Sequence, residues 1–214
     1  MAVVVDVLRA TSTIVRALAV GYRRVLCVET IEQALALRTS DRVLAGERGG
    51  LPPPEFDFGN SPAAIEARGA EELVLATTNG SPTIVRAAAA ADTVLIGALS
   101  NLDAVLERVA EGKGDLLIVC SGTDGRFALE DGYVAGRLST ALAGERSDAA
   151  LAAECIARAP GSALETLSAS ADARALDRVG LAADVEWCAR ESVEDVVPQV
   201  ETVDQGVATV VRAS

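Results

Sequence analysis

Histidine is absent from the 214 residues, which removes imidazole metal ligands, imidazole general bases, phosphohistidine chemistry and every Ser-His or Cys-His nucleophile pair. Acid–base or metal chemistry must use carboxylates. Cations are scarce as well: 19 Lys plus Arg stand against 31 Asp plus Glu, a net charge of -12. No segment carries the basic stripe that binding to a phosphate backbone requires, so nucleic acid and anionic membrane surfaces are excluded as partners. No apolar run approaches the roughly 18 residues of a membrane span. The amino terminus meets an acid at Asp6, and the expectation is a cytoplasmic protein. Cys27, Cys120, Cys155 and Cys188 lie far apart without a Cys-x-x-Cys spacing and read as buried, reduced thiols.

Half of the residues are apolar and 23% are charged, a balance that excludes disorder and disulfide scaffolds and leaves enough core for a single domain over residues 1–214. Short continuous apolar runs alternate with Ala-rich stretches. Val3–Val5, Arg24–Val28, Val43–Ala45, Leu73–Ala76, Thr93–Ile96 and Asp115–Val119 are the expected strands, each with the pattern of a strand covered on both faces. Thr30 and Ser100 are expected N-caps, and Ser61-Pro62 and Ser81-Pro82 are expected helix starts. The architecture that follows is α/β, a three-layer α/β/α arrangement with a largely parallel or mixed sheet. Residues 8–35 resemble residues 78–105 at a constant spacing of 70, with TIVRA at Thr13–Ala17 recurring at Thr83–Ala87, which suggests two related β-α-β-α units. Helices are expected over Leu129–Ala143 and Asp148–Ala159, and the tail reads as a β-hairpin, Val196–Val203 and Val207–Val211, about the turn at Asp204-Gln205-Gly206.

Four polar, glycine-containing clusters follow strands, where open α/β sheets bind ligands. The first holds Asp6, Arg9, Thr11 and Ser12: it is either an ordinary capped loop or an anion site in which the helix N-terminus and a guanidinium fork meet phosphate. The second, in a long loop from Gly46 to Ser61, carries Glu47, Arg48, Asn60 and Ser61, with Glu47 and Arg48 readable as a surface ion pair or as site residues. The third, Thr78, Asn79 and Gly80 ahead of Ser81, is a tight turn or a second anion-ready helix start. The fourth runs through Ser121, Gly122, Thr123, Asp124 and Arg126. Its Cys120-x5-Arg126 spacing is that of thiolate phosphatases, but Asp124 would repel phosphate and raise the thiol pKa. Asp124, Glu130 and Asp131 instead offer the hard oxygens that Mg²⁺ uses beside substrate phosphate.

Taken together, Asp6–Ile14 (DVLRATSTI), Gly46–Gly50 (GERGG), Phe56–Pro62 (FDFGNSP), Thr77–Gly80 (TTNG), Ser121–Phe127 (SGTDGRF), Leu129–Asp131 (LED), Asp184–Cys188 (DVEWC) and Val196–Pro198 (VVP) resemble the 2-phosphosulfolactate phosphatase family of coenzyme M biosynthesis. The stretch Ser168–Arg174 departs from that pattern. The resemblance implies a Mg²⁺-dependent phosphomonoesterase that converts 2-phospho-3-sulfolactate, or a similar small 2-phospho hydroxy acid, to (R)-3-sulfolactate and phosphate. Asp6, Glu47, Asp124 and Arg126 are the expected catalytic residues, and the remaining members of the four clusters the expected substrate ligands. Asp6 attacking phosphorus, or a metal-activated water with an acid to protonate the leaving oxygen, are both open routes. The expected partner is a small phosphorylated anion, with a homodimer as the assembly to test for. The rival readings are a non-catalytic small-anion-binding protein and a Cys-x5-Arg thiolate phosphatase.

Overall fold

The computed structural model describes residues 1–67 and 69–213. Its strands are β1 (Ala2–Val5), β2 (Arg24–Val28), β3 (Arg42–Gly46), β4 (Glu72–Ala76), β5 (Val94–Gly97), β6 (Leu117–Cys120), β7 (Pro198–Asp204) and β8 (Val207–Arg212). They form one sheet in the order β3-β4-β2-β8-β7-β5-β1-β6. The helices are α1 (Ala10–Ala19), α2 (Ile31–Ala36), α3 (Gly80–Ala90), α4 (Leu102–Ala110), α5 (Leu129–Ala141), α6 (Asp148–Ala157), α7 (Ala163–Ser168), α8 (Ala171–Arg178) and α9 (Ala182–Cys188). No described helix is long and apolar enough to cross a membrane.

The 70-residue repeat appears as an exchange of strands. Parallel pairing places β1 between β5 and β6, and β4 between β2 and β3. Each trio therefore takes its middle strand from the other unit, so neither unit completes its sheet alone. The tail hairpin is not an appendage: β7 pairs antiparallel with β5, and β8 antiparallel with β2. Because β7 and β8 are also antiparallel to each other, the two trios run in opposite directions and the sheet is mixed. The hairpin turns on Gln205 and Gly206, at φ 47° and 80°, the pair of left-handed residues that a two-residue turn matched to strand twist requires.

Alternation along the strands sorts side chains onto two faces. Ala2, Val4, Val25, Cys27, Leu73, Leu75 and Ile96 pack with Ile14 of α1 and Ile84 of α3. Val3, Val5 and Leu95 point the other way, toward Leu102, Val105, Tyr133 and Leu138 of α4 and α5. Ile14 and Ile84 are fully buried and occupy equivalent repeat positions, each removing an aliphatic side chain from water for about 1.5–3 kcal/mol. This is the three-layer arrangement.

Local capping follows the sequence in part. Thr30 makes a full capping box with Gln33, as its side chain requires. Ser100 does not cap: it lies within a short 3₁₀ turn, Leu99–Asn101, ahead of α4, and its buried Oγ has no partner among the described residues. Helix α3 starts at Gly80, ahead of Ser81-Pro82, and Asn79 is its N-cap residue. Only Cys27 and Cys188 are buried, whereas Cys120 and Cys155 are exposed, the former because β6 is an edge strand.

Candidate active site

Helices α1 and α3 lie on the same face of the sheet and bring their N-termini together. A Cβ added to Gly80 would stand 2.3 Å from the Cβ of Ala10 and 2.7 Å from Oδ2 of Asp6. Only glycine permits this approach. The loops that follow β1, β3, β4 and β6 meet around the junction and line a cavity of about 260 Å³ with Asp6, Leu8, Arg9, Glu47, Gly49, Gly50, Asn60, Thr77, Thr78, Asn79, Thr123 and Asp124. Helix α8 closes it with Asp172, Ala175 and Leu176.

The two helix starts differ in charge. At α1, Asp6 Oδ1 accepts the Ala10 N–H at 2.9 Å, so a carboxylate already occupies the anion-favouring end. The repeat puts Ala76 where α1 has Asp6, and α3 carries no such acid; Ser81 N–H is capped by the Thr77 hydroxyl at 2.9 Å. Asp6 is buried, and that burial lifts its pKa to about 7, with the charges of Glu47 and Asp172 adding to it and the Ala10 N–H and Arg9 opposing it.

Two carboxylates act as clamps in equivalent ways. Glu47 accepts Gly50 N–H at 3.0 Å and Thr78 N–H at 2.9 Å. Asp131 accepts Val7 N–H at 2.9 Å and Gly122 N–H at 3.0 Å. Each joins the loop after a middle strand to the loop after its outer neighbour, satisfying backbone donors that would otherwise be orphaned. Asp131 is pushed well above the carboxylate range, chiefly by burial and then by the charge of Asp6.

The expected metal ligands separate. Asp124, at φ 52°, is exposed at the mouth and its Oδ2 lies 3.6 Å from Arg126. Glu130 lies buried behind Asp172, and burial, then the neighbouring Asp172 charge, lifts its pKa to about 7. Among the described residues no three acidic or thiol side chains gather at one point. Mg²⁺ does not require three: it commonly keeps water and binds through one or two carboxylates plus substrate phosphate.

Several expected substrate ligands are occupied elsewhere. The Thr11 and Ser12 hydroxyls donate to the carbonyls of Asp6 and Val7, each at 2.9 Å, holding the tight turn into α1. Arg48 donates to the carbonyls of Glu47, Ala76 and Glu29, which makes it a brace between strand ends. Arg126 is largely exposed and does not line the cavity, because the Thr123–Arg126 turn carries it to the outer surface. Gly122 serves that turn at φ 64°, and Ser121 Oγ is buried without a partner among the described residues. Asn79 Oδ1 receives the Asp124 N–H at 3.2 Å.

Two residues, Asp172 and Asp184, were not legible as site residues, whereas Asn60 was expected as a substrate ligand. Asp172 accepts a short hydrogen bond from the Thr123 hydroxyl and comes from the stretch that departs from the family pattern. Asp184 pairs with Arg9 at 2.6 Å, joining residues 175 positions apart. Asn60 is buried in the cavity wall, and its Oδ1 has no partner among the described residues.

Cys120 is poorly placed for nucleophilic chemistry. Desolvation of its sulfur, with the nearby Asp131 charge adding, pushes the thiol up to about 12, although the residue as a whole is exposed. A thiol that stays protonated is inert at neutral pH. Cys120→Ser is therefore expected to retain most of kcat, and steady-state kinetics showing a folded but inactive serine variant would restore the thiolate reading.

The site is thus an acid-lined cavity at converging strand and helix ends, the form of an enzyme site for a small ligand. The sequence profile of the 2-phosphosulpholactate phosphatase family matches residues 1–202, and the chain belongs to that family. A probable 2-phosphosulfolactate phosphatase of Thermus thermophilus is 42% identical over 202 residues, covering 91% of this chain and 85% of that protein. A similarly named protein of Deinococcus radiodurans is 40% identical over 207 residues, covering 92% and 86%. The 2-phosphosulfolactate phosphatase of Methanothermobacter thermautotrophicus is 34% identical over 198 residues, covering 92% and 85%.

Proposed function

We propose that this chain is a Mg²⁺-dependent phosphomonoesterase that hydrolyses 2-phospho-3-sulfolactate, or a similar small 2-phospho hydroxy acid, to phosphate and 3-sulfolactate. The observation that carries this reading is the charge of the cavity: among the described residues, Asp6, Glu47, Asp124 and Asp172 line it against one guanidinium, that of Arg9. A polyanionic ester entering such a space needs a cation. The donor set fits magnesium, being all oxygen, and Asp172 with Asp124 would hold it at the cavity mouth while Glu130 backs Asp172. When bound, Mg²⁺ supplies positive charge to the phosphate oxygens.

The protein's own groups divide the remaining work. The open N-terminus of α3, at Asn79 and Gly80, receives the phosphate, and Asp6 faces it across the junction. A carboxyl that holds its proton near neutrality suits the second hydrolytic route. Water adds to phosphorus, the bond from phosphorus to the C2 oxygen breaks, and Asp6 gives its proton to that leaving oxygen. Glu47 and Asp131 keep the loops in place. A phosphate-release screen over small phosphomonoesters tests the reading. Turnover is expected to favour the sulfonated 2-phospho acid, to require Mg²⁺ and to cease in excess EDTA; full activity in EDTA would contradict it.

A further inference from the structure

Arg9 is held in a way that its task as a surface ligand would not need. Its side chain is 2% exposed, and Asp184, its ion-pair partner, is 4% exposed. One terminal nitrogen of Arg9 donates to Asp184 Oδ2 at 2.6 Å, and the other to the Gly50 carbonyl at 2.8 Å. The second oxygen of Asp184 accepts the Ser61 hydroxyl at 2.5 Å. Ser61 follows Asn60, which lines the same cavity, and the Asn60 carbonyl is fixed in turn by the Thr13 hydroxyl at 3.1 Å. The cavity wall at Arg9 and Asn60 is therefore set from behind by α9, the loop after β3, and α1. Two of the five guanidinium donors are committed to Asp184 and Gly50, which leaves others for a ligand.

We propose that Asp184, with Ser61, is the positioning residue that aims Arg9 at the second acidic group of the substrate, so that this wall rather than the phosphate end selects esters of acids. The inference rests on the proposed phosphatase reading for the identity of that acid. Its physical basis is separate: a guanidinium this buried keeps its place only with a counter-charge, and its planar fork recognises carboxylate or sulfonate only when its orientation is fixed. Arg9 touches the ligand, whereas Asp184 and Ser61 do not line the cavity.

The test is calorimetric titration of the whole 214-residue chain in Mg²⁺ with two probes, 3-sulfolactate and inorganic phosphate. Asp184→Asn keeps the shape and an acceptor oxygen but removes the charge. It is expected to weaken 3-sulfolactate binding by about a hundredfold, the scale of a displaced positioning contact, and phosphate binding by no more than about a tenth of that factor. Ser61→Ala, which keeps the ion pair, is expected to act in the same direction with a smaller shift, and it carries the test alone if Asp184→Asn does not fold. Asp184→Glu should recover part of the loss. Equal weakening of both probes would show a merely structural tie, and unchanged or tighter 3-sulfolactate binding would equally overturn the proposal. Because these are binding measurements, absence of wild-type turnover would count against the proposed function alone.

Discussion

Asp6→Asn is expected to abolish phosphatase activity, by at least about a thousandfold, while making the metal-free protein more stable above neutral pH. Asparagine keeps the acceptor that caps Ala10 but cannot hold or release the proton that the leaving oxygen needs. The stability gain follows from the direction of the Asp6 shift, which burial carries from 3.8 up to about 7. The folded state thus binds this proton more tightly than the unfolded chain does. The resulting penalty is absent below the unfolded value, grows as pH rises between the two values, and is complete above the folded one. Removing the ionisable group should return on the order of 2–4 kcal/mol at pH 8 and nothing at pH 3. Thermal unfolding of both proteins at the two pH values checks this, and a variant less stable than wild type at pH 8 would refute it.

Gly80→Ala is expected to cost both stability and turnover. Its methyl group would stand 2.3 Å from the Ala10 Cβ and 2.7 Å from the Asp6 carboxylate, with the N-terminus of α1 on one side and α3 on the other. The Ala10 Cβ is fixed to the helix backbone, and the Asp6 carboxylate is held by the Ala10 N–H. Overpacking of this kind costs about 1–3 kcal/mol or more, and prying Asp6 from the phosphate end should lower kcat by about a hundredfold. Denaturant midpoints and steady-state rates measure the two effects separately. Wild-type kcat in this variant would show that the junction of α1 and α3 is not where the chemistry occurs.

The strands were legible because each is a short apolar run flanked by polar residues; Arg24–Val28 appears with the bounds expected and the other five within two residues at either end. Periodicity says nothing about partners. The exchange of β1 and β4 between the two units and the insertion of β7 and β8 between β5 and β2 depend on contacts between residues far apart in sequence. For the same reason the tail is readable as a hairpin but not as the element that joins the two halves. Among the expected site residues, Asp6, Arg9, Glu47, Asn60, Thr78, Asn79, Thr123 and Asp124 do meet at one cavity, since strand-end loops converge by topology. Arg48 and Arg126 do not, because residue type cannot reveal that one guanidinium is used by backbone carbonyls and the other is carried outward by a turn. Asp172 and Asp184 were invisible as partners because helices α8 and α9 reach the site only through tertiary packing.

This cavity is expected to accept an anion only when a divalent cation offsets its own carboxylates, a dependence measured by equilibrium binding of inorganic phosphate to the wild-type protein with Mg²⁺ and after its removal by EDTA. Binding is predicted to be readily measured with Mg²⁺ and to weaken by at least about a hundredfold, the equivalent of about 2.7 kcal/mol, once the metal is gone. Equal affinity under both conditions would contradict the account.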